Sequence, residues 1–146
     1  MEVHTQNTNA IPGPLMNLMA QLNFLGMIER GKKVNWYTQS FSDSNSYLGA
    51  IYRSTYGESR KGLIFHLSQI IDQSIRALEA YNNTSFCEII INLLAKAKNG
   101  IQNLKTTYQK DPFVVSQIEV CISNIDMQLE KNKHLLKGVK VNSKQV

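Results

Sequence analysis

Apolar residues recur along this chain at alternating three- and four-residue steps in four stretches, the spacing that lays a single stripe along an α-helix. The first stripe is Leu15, Leu18, Met19, Leu22 and Leu25, just after the breaker cluster Ile11-Pro12-Gly13-Pro14. It predicts a helix over about 15–30 with Gly31 as its stop. The second stripe, Leu63, Leu67, Ile70, Ile71, Ser74, Leu78 and Tyr81, predicts a helix over about 58–81, broken by Asn82-Asn83. The third is Phe86, Ile90, Leu93, Leu94, Ala97, Ile101, Leu104 and Tyr108. It opens at Ser85 with Glu88 three residues on, the spacing of a capping box. The fourth, Val115, Ile118, Ile122, Ile125 and Leu129, opens at Asp111-Pro112, an acid suited to the N-cap and a proline at the first helical position. It extends toward Leu136 and stops at Gly138.

Residues 32–46 carry no helical period. Val34, Trp36, Thr38 and Ser40 alternate with Asn35, Tyr37 and Gln39, the pattern of a short extended piece. Asp43 or Ser44 then caps a short helix over 47–56, ended by Gly57.

The links after Tyr81 and Tyr108 span only a few residues, which makes successive helices antiparallel neighbours. Charge agrees. Lys96, Lys98, Lys105 and Lys110 on the third helix face Asp111, Glu119, Asp126 and Glu130 on the fourth, with Lys96 near the level of Asp126. The same fold-back sets Cys121 near Gly100 and leaves Cys87 thirteen residues away, about 20 Å along a helix. A disulfide requires Cα atoms within about 7 Å, so both thiols are expected free. Gly100, in mid-helix, predicts close packing, with the fourth helix lying over it. The fold class is therefore all-α: an antiparallel helical bundle with a three-helix C-terminal unit and an N-terminal helix packed on it. Residues 1–138 form one domain, with 1–13 as a flexible arm and 139–146 as a basic tail.

Composition fits one such core. A chain of 146 residues with 42% hydrophobic content can bury roughly 70% of its unfolded surface without staples. The charge is unevenly placed. All 11 acidic residues lie at or before Glu130, as do 11 of the 16 basic ones, so the net +5 resides in Lys131, Lys133, Lys137, Lys140 and Lys144. Such a tail either serves solubility or contacts a polyanion: an acidic partner, nucleic acid or an anionic membrane. The first ten residues hold no Lys or Arg, so no secretory n-region is present. Leu15 to Ile28 is interrupted by Asn17, Gln21 and Asn23 and is too short for a membrane span of about 20 apolar residues. The chain is expected to be soluble and intracellular rather than secreted.

Candidate chemistry is sparse. His4, His66 and His134 share no ligand spacing, and the two cysteines form no CxxC pair, so neither a metal nor another cofactor is expected. No serine lies in GxSxG. Gly57-Glu58-Ser59-Arg60-Lys61-Gly62 lacks the spacing of a phosphate loop. There, Arg60 and Lys61 at a helix start could hold one anion, or Glu58 or Ser59 simply caps the helix. The densest feature is Arg30, Lys32, Lys33, Trp36 and Tyr37, followed by Phe41, Tyr47, Tyr52, Arg53 and Tyr56. Cations interleaved with aromatics suit single-stranded nucleic acid. They suit equally the rim of a helical core, with the polar edges of the rings in water.

The stretches Tyr52-Arg-Ser-Thr-Tyr-Gly-Glu-Ser-Arg-Lys-Gly62 and Gly100-Ile-Gln-Asn-Leu-Lys-Thr-Thr-Tyr-Gln-Lys-Asp-Pro112 resemble those of small uncharacterised helical proteins of large DNA viruses. The resemblance implies a virion component or a host-directed accessory protein rather than an enzyme, located in host cytoplasm or virion. It assigns no functional residue. Taken together, the sequence points to a non-enzymatic interaction or structural module whose partner is another protein or a copy of itself. The alternative is nucleic-acid binding through the basic tail and the Lys32–Tyr37 segment.

Overall fold

Asp111 and Pro112 open the last helix as their chemistry dictates. The Asp111 carboxylate accepts from the Val114 amide at 3.3 Å, satisfying one of the donors left over in the first turn, and Pro112 occupies the first helical position. The computed structural model describes residues 11–32 and 60–137. It contains α1 (Gly13–Gly26), α2 (Arg60–Ala80), α3 (Ser85–Thr107) and α4 (Pro112–Lys131), followed by a 3₁₀ turn over Lys133–Leu135. No strand occurs among the described residues. The fold is all-α, with the helices packed on one another. Of the arm expected over 1–13, residues 1–10 lie outside the described residues, while Ile11 packs against the core and Gly13 already opens α1; the extended piece and short helix between 33 and 59, the caps at Glu58 or Ser59, and the tail from 138 also lie outside the described residues.

Helix α3 is the centre of the bundle, packed against α1, α2 and α4. Its buried set is therefore wider than one stripe: Cys87, Ile91, Ala95 and Lys98 join Ile90, Leu94, Ala97, Ile101 and Leu104 inside, whereas Leu93 is only half-buried. Helix α2 matches its stripe closely, with Leu63, Leu67, Ile70, Ile71 and Leu78 in the core. The buried Ser74 hydroxyl donates to the Ile70 carbonyl at 2.7 Å, which settles its hydrogen bond within the helix. On α4 the buried residues are Val114, Ile118, Cys121, Ile125 and Leu129. Val115 and Ile122, both expected in that stripe, are half-buried, because the face wedged between α2 and α3 is turned by one residue. Each fully buried Leu or Ile contributes about 1.5–3 kcal/mol relative to exposure.

The α2–α3 turn corrects the capping box. Asn83 takes a left-handed φ of 68°, a conformation asparagine tolerates better than most residues. Thr84 then follows in extended geometry as the N-cap. Its hydroxyl accepts from the Phe86 amide at 3.2 Å and donates to the Tyr81 carbonyl at 2.6 Å. Ser85 is the first helical residue rather than the cap, and Glu88 lies one position too far along to reach back.

Helices α3 and α4 are antiparallel. Lys98 Nζ lies 2.6 Å from Asp126 Oδ1 and Lys105 Nζ lies 3.6 Å from Glu119, seven residues forward on one helix and seven back on the other. The register is shifted by two residues from the expected pairing of Lys96 with Asp126. Lys98, with its side chain only 8% exposed, takes that place. Asp126 Oδ1 has no hydrogen bond of acceptable geometry, so it is paired in charge alone. In this register Cys121 is level with Asn103, sixteen residues from Cys87, about 24 Å along the helix. Both thiols are free and buried.

The helix over Gly100 is α1, not α4. A Cβ at Gly100 would collide with the Leu25 carbonyl oxygen, and one at Gly26 would stand 3.3 Å from Lys96. The two backbones thus meet with no side chain between them. Helix α1 also ends at Gly26, a turn before the expected Arg30. The chain then turns so that Ile28 enters the core and its carbonyl accepts from Asn103 Nδ2 at 2.8 Å. Gly31, at φ 79°, completes this turn rather than a helix.

Candidate interaction surfaces

Three surfaces carry the candidate residues: the C-terminal end of α4, the segment after α1, and the outer faces of the helices. At the first, Asn132 Nδ2 donates to the Gln128 carbonyl at 3.0 Å. That amide meets a carbonyl of the last helical turn. His134 sits exposed in the 3₁₀ turn. Leu136 is extended, and α3 holds the segment through Asn92. Asn92 Nδ2 donates to Glu88 O at 2.8 Å and Leu135 O at 3.0 Å, while its Oδ1 accepts from the Lys137 amide at 2.9 Å. Lys137 Nζ lies 2.8 Å from Glu88, and Lys133 Nζ lies 3.1 Å from Glu130. Of the five tail lysines, Lys133 and Lys137 therefore have carboxylate partners within the chain, and Lys131 is exposed at the end of α4. Lys140 and Lys144 lie outside the described residues.

At the second surface, Lys32 Nζ lies 3.8 Å from Glu29, both side chains well exposed. Lys33, Trp36, Tyr37, Phe41, Tyr47, Tyr52, Arg53 and Tyr56 lie outside the described residues.

The remaining titratable groups of note are inside. His66 is buried, and desolvation lowers its pKa from 6.5 to about 4, so the ring is neutral at pH 7. Burial raises the Cys121 thiol to about 11 and raises Cys87 as well. Both are held in the unreactive thiol form at neutral pH. Among the described residues no group of three or more His, Cys, Asp or Glu is placed to hold a metal. No described helix is long and apolar enough to cross a membrane. A shallow groove of about 220 Å³ lies between α1 and α2, lined by Pro14, Leu15, Leu18, Gln73, Arg76 and Tyr81. Among the described lining residues the one charged side chain, Arg76, is tied to Asp72 at 2.9 Å.

The outer faces hold the feature that the stripe pattern did not single out. Met16, Met27, Ile89, Phe113, Val120 and Met127 are exposed. Three of them stand seven residues apart on α4: Phe113 (51% exposed), Val120 (52%) and Met127 (56%). The signal was in the sequence as a second apolar period on a helix that already had one. It is visible only once the inward face is fixed. No protein-family model, curated protein or solved structure matches the chain.

Proposed function

We propose that this chain is a non-enzymatic protein-interaction or structural module, presented by a rigid helical bundle. The observation that carries the reading is the heptad-spaced row Phe113, Val120 and Met127 on the outer face of α4. Singly exposed apolar residues are ordinary on any surface, but a row of them on one helix face is the form in which helices are recognised. The described ionisable side chains fit the same reading. Lys98 pairs with Asp126, and Lys137 with Glu88, holding neighbouring segments together. The resemblance of 52–62 and 100–112 to small helical proteins of large DNA viruses leads us to place the module among virion or accessory proteins.

The test uses the full chain immobilised against lysate of the organism that makes it, beside a Val120→Glu variant of the same fold. A defined protein recovered by the parent and lost by the variant supports the reading. A single-stranded DNA shift, measured from 50 to 300 mM salt, runs in parallel. Tight, steeply salt-dependent DNA binding with no protein recovered would replace the reading with nucleic-acid binding.

A further inference from the structure

We infer that the face of α3 around Asn92 is a seat for an extended peptide, filled here by the chain's own Leu135, Leu136 and Lys137 as a displaceable strap. The competing occupant is a segment of a partner protein in which two adjacent apolar residues precede a lysine or arginine. This adds a surface to the interaction module, and it stands apart from the row on α4.

Asn92 reads main chain. Its Nδ2 donates to the Leu135 carbonyl at 3.0 Å, and its Oδ1 accepts from the Lys137 amide at 2.9 Å. Leu136, between them, is extended. A side-chain amide offers the same donor and acceptor as a peptide unit. Asn92 therefore does to this segment what a sheet edge does to an added strand. Any extended segment presents a carbonyl and an amide in this arrangement, whatever its side chains. The seat is set by α3 itself. The other Nδ2 hydrogen goes to the Glu88 carbonyl at 2.8 Å, one turn back. That bond fixes which way the amide faces, because turned over its oxygen would meet two carbonyls.

Selectivity comes from what flanks the amide. Leu135 and Leu136 pack against the core, and Lys137 Nζ lies 2.8 Å from the Glu88 carboxylate. Two apolar residues and then a cation are the pattern the seat selects. The strap itself is lightly held. Both leucines are only half-buried, and the Lys137 side chain is 71% exposed, where an ion pair adds little. Beside the strap a groove of about 300 Å³ runs past Ile89, Leu93 and Lys96, with Ile89 exposed. A partner segment longer than the strap covers Ile89 and Leu93 as well. Those added contacts let it displace a strap whose tether holds it at an effective concentration on the order of 1 mM.

Two measurements on the full chain test this. In amide hydrogen exchange followed by NMR, the Lys137 amide should be at least tenfold less protected than the core amides of α3, the mark of a local opening. Protection equal to the core makes the strap part of the global fold and overturns the inference. This measurement needs no variant and decides by itself if a variant loses its helical spectrum. The second uses a fluorescent peptide of residues 132–146 as the probe. The full-length double variant Leu136→Ser, Lys137→Glu loosens the strap and should bind the peptide at least tenfold more tightly than the parent does. Asn92→Asp added to that chain sets a carboxylate against the peptide carbonyl and should weaken binding at least tenfold, as should Lys137→Glu in the peptide. A peptide with Leu135→Ile and Leu136→Val keeps the pattern and should bind like the original. A folded double variant that binds no peptide overturns the inference, as does binding indifferent to Asn92→Asp or restricted to the original leucines. Any of these failures leaves the module reading standing, because that reading turns on Val120.

Discussion

At Gly100 the hydrogen that replaces a side chain faces the Leu25 carbonyl oxygen, and that one substitutable atom sets how closely α1 lies on α3. Alanine is the better helix former by about 1 kcal/mol. Even so, Gly100→Ala should destabilise by about 2 kcal/mol or more, because the obstacle is backbone and cannot rotate away. Gly13→Ala, with open space at its Cβ, should be neutral. Urea denaturation of the two variants checks this, and a Gly100→Ala protein as stable as the parent would mean that α1 does not approach so closely. His66 supplies a pH dependence. Its folded pKa of about 4 lies below the ordinary 6.5, so between those values the unfolded chain binds more protons. Stability is then full above about pH 6.5 and falls as pH drops through the window, by up to about 3 kcal/mol. His66→Gln should flatten the urea midpoint between pH 6.5 and 5, above most carboxylate titration; a slope that persists in the variant would place its origin elsewhere.

Among the elements, helix α4 separates the positions most sharply. Ile118 and Ile125 are fully buried, so replacing either with alanine should cost about 2–5 kcal/mol. Ile122 is half-buried and should cost clearly less. The three midpoints under identical denaturant conditions give the order directly, and Ile122→Ala ranking as most damaging would restore the face expected from the pattern alone. That pattern shows what was legible. Helices, short links and the Asp111-Pro112 start follow from local chemistry, and local chemistry is written in neighbouring residues. The face of α4, the two-residue register against α3 and the partner of Gly100 depend on which helix lies across from which. They are decided over tens of residues, where one apolar stripe looks like another. Thr84 was obscured for a local reason: the left-handed turn at Asn83 moves the helix start one residue earlier. Of the candidate surfaces, the α4 row was present as a period but hidden behind a stronger one.

For the whole molecule, Lys137 belongs to the described fold, held by Asn92 and Glu88. Ending the chain after Leu136 removes Lys137, Lys140 and Lys144 and takes the net charge from +5 to +2. It also strips Asn92 Oδ1 of its donor and Glu88 of its ion pair, a loss of about 1 kcal/mol. Ending after Lys137 keeps both contacts at a net charge of +3 (two lysines removed) and should leave stability within about 0.5 kcal/mol of the parent. Thermal midpoints of the two truncations distinguish these outcomes, and equal values would mean that the Asn92 contacts add nothing.

The seat of α1 on α3 also has a consequence in time. The α3–α4 hairpin closes over a turn of four residues, Tyr108 to Asp111, whereas Leu25 meets Gly100 and Ile28 meets Asn103 across about 75 positions of chain. Loop closure over that distance is slow and is rewarded only when the last contacts form. The hairpin should therefore be the nucleus, with α1 the last element to arrive and the first to leave. In stopped-flow kinetics Ile118→Ala should slow folding, while Leu25→Ala should chiefly speed unfolding. The reverse assignment would make the distant contact the nucleus. If the hairpin leads, the exposed row Phe113, Val120 and Met127 on α4 is formed before the bundle is closed, and each new chain passes through a state that presents this row together with the core face α1 has yet to cover.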